Sequence, residues 1–211
     1  MKIPDRVIER LAAYRRHLRD LAGGGADRIY SHELASLAGA TPAQVRRDLM
    51  TVNYTGSPAR GYDVAGLVEH IGNLLNPGEA TRIVIVGVGH VGGAVLDYFG
   101  GRHPEYSVVG TFDTHPDRVG RVVHGHRCYP VDELEEVLRG QHAVAGIIAV
   151  PAEAAQEVAN RLIRAGVTGL LNFAPVRLRV PEHVYVENVD IALALEKVVF
   201  FARARMDRRE A

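Results

Sequence analysis

Three glycines, Gly87, Gly89 and Gly92, are spaced as G-x-G-x-x-G within Gly87-Val88-Gly89-His90-Val91-Gly92. The β-branched run Thr81-Arg82-Ile83-Val84-Ile85-Val86 leads into them, and Val91, Ala94, Val95, Tyr98 and Phe99 follow at helical spacing. A glycine loop between a buried strand and a helix places backbone N–H groups and the helix dipole where they stabilise phosphate charge. Each glycine has its own reason. Gly87 permits the tight turn, Gly89 lets a pyrophosphate approach the backbone, and Gly92 lets helix and strand pack closely. A second strand, 106–112, ends at Asp113, 21 residues past Gly92. A carboxylate there hydrogen-bonds the ribose hydroxyls of an adenosine and repels a 2′-phosphate. The spacing therefore predicts NAD(H) as cofactor rather than NADP(H).

The elements that must position these residues alternate along the chain. Residues 131–139 read as helix, 143–150 as strand and 167–173 as strand, with a helix from Pro151 to about 165 between the two strands. A last strand is expected over 184–189. The strand ends, Val150-Pro151, Asn172-Phe173-Ala174-Pro175 and Asp190, point loop residues at the cofactor crevice. The alternation predicts an α/β, Rossmann-like dinucleotide-binding domain over 77–190, opened by the breaker Asn76-Pro77-Gly78. A C-terminal helix from Ile191 to about 209 carries Ile191, Ala194, Leu195, Val198, Val199, Phe201 and Ala202. That apolar face is too broad for a narrow stripe, so segment 191–211 is expected to pack on a partner subunit.

Residues 1–76 read differently. Val7, Leu11, Tyr14, Leu18 and Leu21 make one apolar stripe on a helix over 4–22, stopped by Gly23-Gly24-Gly25. A short helix follows Ser31, the expected N-cap, and ends near Gly39. A third starts at Thr41-Pro42-Ala43-Gln44, a capping box with proline at the first helical position. Its apolar residues are Val45, Leu49 and Val52. Arg47 projects opposite them, flanked by Arg46 and Gln44. Segment 53–64 reads as a hairpin with Gly56, Pro58 and Gly61 near its tip. Three helices and a hairpin predict an N-terminal winged helix-turn-helix, whose second paired helix enters the major groove of double-stranded DNA. The candidate DNA residues are Thr41, Gln44, Arg46 and Arg47 on that helix, with Arg60 and Tyr62 in the wing.

Charge agrees with this division. Residues 1–62 carry +4 and the remainder −4, within a chain of zero net charge. A basic segment on an acidic chain favours a polyanionic partner. No stretch approaches the roughly 20 apolar residues that span a bilayer, and the N-terminus carries both charge signs without an apolar core. A cytoplasmic protein without a membrane partner is expected. One cysteine, Cys128, leaves no intrachain disulfide and no cysteine-based zinc site, and His124-x-His126 is an isolated pair, so no metal is expected.

Enzyme chemistry is not expected. After the Rossmann-like segment only one helix remains, which leaves no room for a substrate domain, and no tyrosine-lysine proton relay follows Tyr98. The residues leave two other classes open: a Rossmann protein binding coenzyme A or another nucleotide, and a small NAD-dependent oxidoreductase.

Specific blocks carry a resemblance across essentially the whole chain. They are Gln44-Val45-Arg46-Arg47-Asp48-Leu49, Gly61-Tyr62-Asp63-Val64, Phe112-Asp113, Val150-Pro151-Ala152, Leu171-Asn172-Phe173-Ala174-Pro175-Val176 and Val186-Glu187-Asn188-Val189-Asp190. In these the chain resembles the Rex family of redox-sensing transcriptional repressors. The resemblance implies a homodimer with exchanged C-terminal helices, operator binding when NADH is scarce and release when NADH binds. It also implies a switching ion pair between Arg16 and Asp190, with Tyr98 associated with the switch. The chain departs from the family pattern at Val52-Asn53, where an aromatic-glycine pair is usual. It departs again in the wing, Pro58-Ala59-Arg60-Gly61-Tyr62, and at Gly101.

Overall fold

Leu11, Tyr14 and Leu18 lie three and four residues apart on α1 (Asp5–Gly23), and all three are fully buried. This face exists because another helix covers it. In the computed structural model, which describes residues 3–57, 59–99 and 103–206, α1 packs on α4 (Val64–Leu75), whose Val64, Leu67 and Ile71 are equally buried. Burying a leucine fully contributes about 1.5–3 kcal/mol, so this pairing is the main support of the first unit. Between the two helices lie β1 (Arg28–Ile29), α2 (Ser31–Ala38), α3 (Pro42–Thr51) and β2 (Tyr62–Asp63).

Local chemistry sets these boundaries. Tyr30, not Ser31, occupies the N-cap of α2; its N–H donates to the Glu33 carboxylate at 2.7 Å, and Ser31 is already helical. Gly39, at φ +62°, closes α2 in the left-handed region. Thr41 caps α3 by accepting the Gln44 N–H at 3.2 Å, with Pro42 behind it. Asn53, at φ +57°, turns the chain out of α3. Asparagine tolerates this conformation better than most residues that carry a side chain.

The wing differs from the expected hairpin over 53–64. A tight turn joins Ser57 to Gly61, but β2 pairs antiparallel with β1, Ile29 opposite Tyr62 and Arg28 opposite Asp63. The partner strand therefore comes from before α2. Two-residue strands are too short to show a period-two pattern, so the sequence hid this pairing. Gly61 permits it: at φ +65°, a Cβ there would meet the Ile29 carbonyl. Pro58 lies outside the described residues.

The second unit begins at Ala80, after a first unit ending at Glu79; the sequence reading placed this boundary at 76/77. It holds β3 (Thr81–Val86), α5 (His90–Phe99), β4 (Tyr106–Asp113), β5 (Val122–Val123), β6 (His126–Pro130), a 3-10 turn (Val131–Glu133) and α6 (Leu134–Val137). After these come β7 (Ala145–Ile148), α7 (Ala152–Arg164), β8 (Gly169–Asn172), β9 (Tyr185–Asn188) and α8 (Ile191–Met206). The sheet order is β5-β6-β4-β3-β7-β8-β9, parallel except for the β5–β6 hairpin. That hairpin was not foreseen. Its tip, His124 at φ +45° and Gly125 at φ +83°, fits a two-residue turn.

Alternation along β3 divides the core. Ile83 and Ile85 pack with Leu96, Ile147 and Cys128 on the α5 side. Val84 and Val86 pack with Phe112, Ile148, Ala155, Ala159 and Leu162 on the α6 and α7 side. Connections leave β3 toward β4 on one edge and reach β7 on the other. The carboxyl ends of β3, β4 and β7 thus meet at a topological switch point, where open α/β sheets bind ligands.

Helix α8 has no such cover. Every residue from Ile191 to Arg203 is exposed, Phe200 at 67% and Phe201 at 61%. Among the described residues no helix is long and apolar enough to cross a membrane.

Candidate functional site

The glycine loop behaves as three separate steric demands. Gly87 has φ +88°, its N–H donates to the Phe112 carbonyl at 2.7 Å, and a Cβ there would strike the Ala149 carbonyl. A Cβ on Gly92 would strike the Gly87 carbonyl. Gly89 is different. Its nearest neighbours within 4 Å all belong to the Arg118 guanidinium, so no backbone crowds the approach to its Cα. The fit to a pyrophosphate is good: an accessible backbone at the head of α5, whose first N–H groups have no partner within the helix.

Asp113 closes the end of β4 with its side chain nearly buried. Its Oδ1 accepts from the N–H groups of Thr114 and His115, both at 2.8 Å. Its Oδ2 accepts from the Val88 N–H at 2.9 Å and from Arg118 Nη1 at 3.1 Å. Burial pushes this carboxyl up, but the His115 and Val88 N–H bonds and the Arg118 guanidinium outweigh it and hold Asp113 below the usual carboxylate range. It is an anion at neutral pH.

A cleft of about 490 Å³ joins these parts. Of the expected cofactor residues, Gly87, Gly89, Asp113, Val150 and Pro151 line it. Val88 reaches the site through its N–H, and Gly92 acts from behind by packing. His90 and Val91 are exposed on the first turn of α5 and do not line the cleft. Sequence reasoning missed Thr114, His115, Arg118, Val131, Ala149, Ala154, Val158 and the charged rim of Asp132, Glu157 and Arg161. Arg161 bonds Asp132 at 3.2 Å and Glu135 at 3.3 Å, tying the turn before α6 to α7. Val131, Ala154 and Val158 give one wall an apolar surface suited to a flat base.

The Asn172 block plays another part than expected. Asn172 is fully buried; its amide nitrogen donates to the carbonyls of Ala174 and Val176 and to Asn188 Oδ1, and its oxygen accepts from the Ala174 N–H. With its hydrogen bonds all internal, it fastens the loop between β8 and β9 and does not face a ligand. Phe173 packs beside Ile83 and Ile147. Ala174 and Pro175 line a separate cleft of about 240 Å³ with Asn188 and Asp190.

In the first unit, Arg46 and Arg47 are exposed on α3 beside Met50, and Arg46 Nη1 bonds Ser31 Oγ at 3.0 Å. Thr41 is exposed, Gln44 half-buried and Arg60 exposed in the wing turn. Tyr62 departs from expectation. Its ring is buried in the core of the unit at 7% exposure, so it supports the wing from beneath and offers no ring to a partner. The three switch candidates are accessible: Arg16 on α1, Tyr98 at 52% exposure, and Asp190, which caps α8 by accepting the Leu193 N–H at 2.8 Å. Gly101 lies outside the described residues. Among those described, no three of His, Cys, Asp and Glu gather as metal ligands.

Two family profiles match the two units. The "Putative DNA-binding protein N-terminus" profile matches residues 2–49, and the CoA binding domain profile matches residues 78–176. Over the whole chain, the redox-sensing transcriptional repressor Rex of Carboxydothermus hydrogenoformans is 41% identical across 202 residues, 96% of this chain and 97% of its own. The chain belongs to the Rex family. The Rex of Desulfitobacterium hafniense is 42% identical over 95% of both chains. Among solved structures, the Rex-family repressor RSP with β-NAD+ and operator DNA superposes at a TM-score of 0.89, with 29% identity over 100% of this chain and 97% of that one. RSP with β-NADH superposes at 0.86, with 30% identity over 100% and 99%. Rex proteins are transcriptional repressors and not enzymes, so the Rossmann-like unit is a binding module.

Proposed function

We propose that this protein is an NADH-responsive transcriptional repressor that binds operator DNA as a homodimer and leaves it when NADH binds. One observation carries the ligand half: the bare Cα of Gly89 and the ionised Asp113 share one cleft, with positions for a pyrophosphate and for a ribose. RSP, at 30% identity, has been solved with β-NADH and, in another structure, with β-NAD+ and operator DNA, which supports the reading. In it, the cofactor supplies only binding energy that differs between two forms of the dimer. Moving such an equilibrium from 1:99 to 99:1 takes about 5.5 kcal/mol of differential binding.

The winged unit supplies the DNA half. Arg47, exposed on a capped α3, reads base edges in the major groove, with Arg46, Gln44 and Thr41 beside it and Arg60 near the backbone. Two such units meet two half-sites only at a fixed spacing, so a change of that spacing releases the operator. The exposed apolar face of α8 is the dimer contact. Arg16 and Asp190, both exposed, form the switching ion pair, and Tyr98 acts beside it. The Asp190 carboxylate that would pair with Arg16 also caps α8.

A fluorescence-anisotropy titration on a palindromic Rex operator tests this, at fixed salt because phosphate contacts make affinity fall steeply with ionic strength. NADH, but not NAD+, is expected to release the DNA. Binding that ignores NADH removes the effector half of the reading. The CoA binding profile favours a second ligand class, coenzyme A. Thermal shifts decide between them, since a specific ligand raises stability as RT ln(1 + [L]/Kd).

A further inference from the structure

The Arg118 guanidinium stands in two relations at once. Its Nη1 donates to Asp113 Oδ2 at 3.1 Å. Its Nη1 and Nη2 also lie 3.7 and 3.9 Å from the point where a Cβ on Gly89 would stand. One cation thus spans the two anchor points of the cleft, the carboxylate that faces a ribose and the bare backbone that faces a pyrophosphate.

The donors to Asp113 are unequal. Those from Val88, Thr114 and His115 are backbone N–H groups fixed by the loops that carry them. Arg118 is a side chain, 36% exposed, and has somewhere else to go. A carboxylate offers about four acceptor positions, and all four are taken. A ribose hydroxyl therefore reaches Asp113 by replacing the one partner that moves. The guanidinium it replaces already covers Gly89, and its planar fork pairs with two phosphate oxygens at once.

We propose that Arg118 is the pyrophosphate-binding residue of this cleft and the partner that the ribose displaces from Asp113. The inference rests on the NAD(H) reading above and adds to it. Binding is an exchange: the ribose hydroxyl donates to Oδ2, and Arg118 moves its two N–H donors to the pyrophosphate over Gly89. Arg118 then distinguishes ligands by whether they carry a pyrophosphate. Adenosine displaces the arginine and gives it nothing in return, whereas ADP-ribose and NADH do both.

The test compares Arg118→Ala and Arg118→Lys with the parent protein, using calorimetry for NADH and ADP-ribose and ligand-observed NMR for adenosine. Asp113 keeps its three backbone bonds in either variant, and melting curves verify folding. Arg118→Ala is expected to weaken NADH and ADP-ribose by about tenfold or more, the size of a lost charge-assisted bond. Adenosine is expected to bind as tightly as before or tighter, because a competitor for Asp113 is gone. Lysine should restore part of the loss as a point charge without the fork. The proposal is overturned if all three ligands weaken equally, or if none changes. It is also overturned if adenosine weakens as much as ADP-ribose, which would place the guanidinium on the nucleoside and not on the pyrophosphate. If the parent binds neither NADH nor ADP-ribose, the dinucleotide reading itself fails and takes this one with it. If the parent binds and the variants match it, only this one fails.

Discussion

Arg10 on α1 holds Asp48 on α3 with two hydrogen bonds, Nε to Oδ2 at 2.6 Å and Nη2 to Oδ1 at 2.7 Å, while Tyr14 donates to the same Oδ2 at 2.9 Å. The Asp48 side chain is 3% exposed. Burial, then the bond to Asp48, pushes the Tyr14 hydroxyl well above the usual tyrosine range, so it stays protonated and donates. Asp48 lies one residue past Arg47 and faces inward as Arg47 faces out. The helix proposed to read DNA is thereby fixed to the helix that carries Arg16.

Asp48→Ala leaves the Arg10 guanidinium without its partner. Equilibrium denaturation should show a loss of about 1–3 kcal/mol, chiefly because the buried Tyr14 hydroxyl loses its acceptor, while the Arg10 guanidinium, 26% exposed, is partly solvated. Tyr14→Phe removes one of three bonds and should cost about 1 kcal/mol. A shift within 0.5 kcal/mol for Asp48→Ala, roughly what an ordinary surface change gives, would show that α1 and α3 are held by apolar packing alone.

Gly92 and Gly93 are neighbours with opposite expectations. A methyl at Gly92 meets the Gly87 carbonyl, which is backbone and has no room to retreat. Gly92→Ala should therefore destabilise the second unit and weaken NADH binding together. A methyl at Gly93 meets the His124 imidazole at 3.4 Å, a side chain 45% exposed and able to give. Gly93→Ala also gains up to about 1 kcal/mol of helix propensity, so its melting temperature should match or exceed that of the parent.

These glycines mark what the sequence could disclose. Gly87, Gly89 and Gly92 are demands of the local backbone, and Asp113 ends the next strand, 21 residues past Gly92, so spacing alone pointed to all four. Arg118 was invisible because its bond to Asp113 requires the chain over 114–117 to fold back on the strand end. Val131 and Arg161 reach the cleft only through the paths of β6 and α7. Asn172 was placed by position at a strand end, but its role depends on Asn188, brought beside it by the register of β8 and β9. Tyr62 was read as a wing surface residue because nothing local reveals that β1 returns to cover it.

The low-lying carboxyl of Asp113 gives stability a pH dependence of defined sign. Its folded value lies below the unfolded one, so its ionisation stabilises the fold at neutral pH. That contribution begins to fade near the ordinary carboxylate value of about 4 and is lost as pH falls through the lowered value. Asp113→Asn should be less stable than the parent at pH 7, with the gap closing toward pH 3. A constant gap across that range would detach the effect from ionisation.

Cys128 should be silent in the native protein. Its side chain is fully buried against Ile83, Ile85 and Leu96, and burial, then the nearby Asp113 carboxylate, pushes its thiol above the usual range. A thiol reagent at pH 8 should label it only in denaturant. Rapid labelling of folded protein would reveal an opening of the β6 edge.

Replacing Phe200 and Phe201 by aspartate puts charge on the exposed face of α8. Light scattering should find the parent at twice 23.0 kDa and the double variant at the mass of one chain. A double variant that stays dimeric would move the subunit contact away from this helix.

The α1–α4 pairing also sets the order in which the first unit acquires structure. The buried face of α1 is covered by residues 64–71, more than forty positions downstream, with the helix-turn-helix strung between. A fragment that ends with α3 at Thr51 keeps Leu11, Tyr14 and Leu18 with Leu34, Val45 and Leu49, but loses Val64, Leu67 and Ile71 from the same core. Such a fragment is expected to be much less stable than the whole unit, although it contains all of α3. Closing that long loop before any contact stabilises it makes the nucleus non-local, and a unit built mostly of helices should for that reason fold more slowly than its helix content suggests.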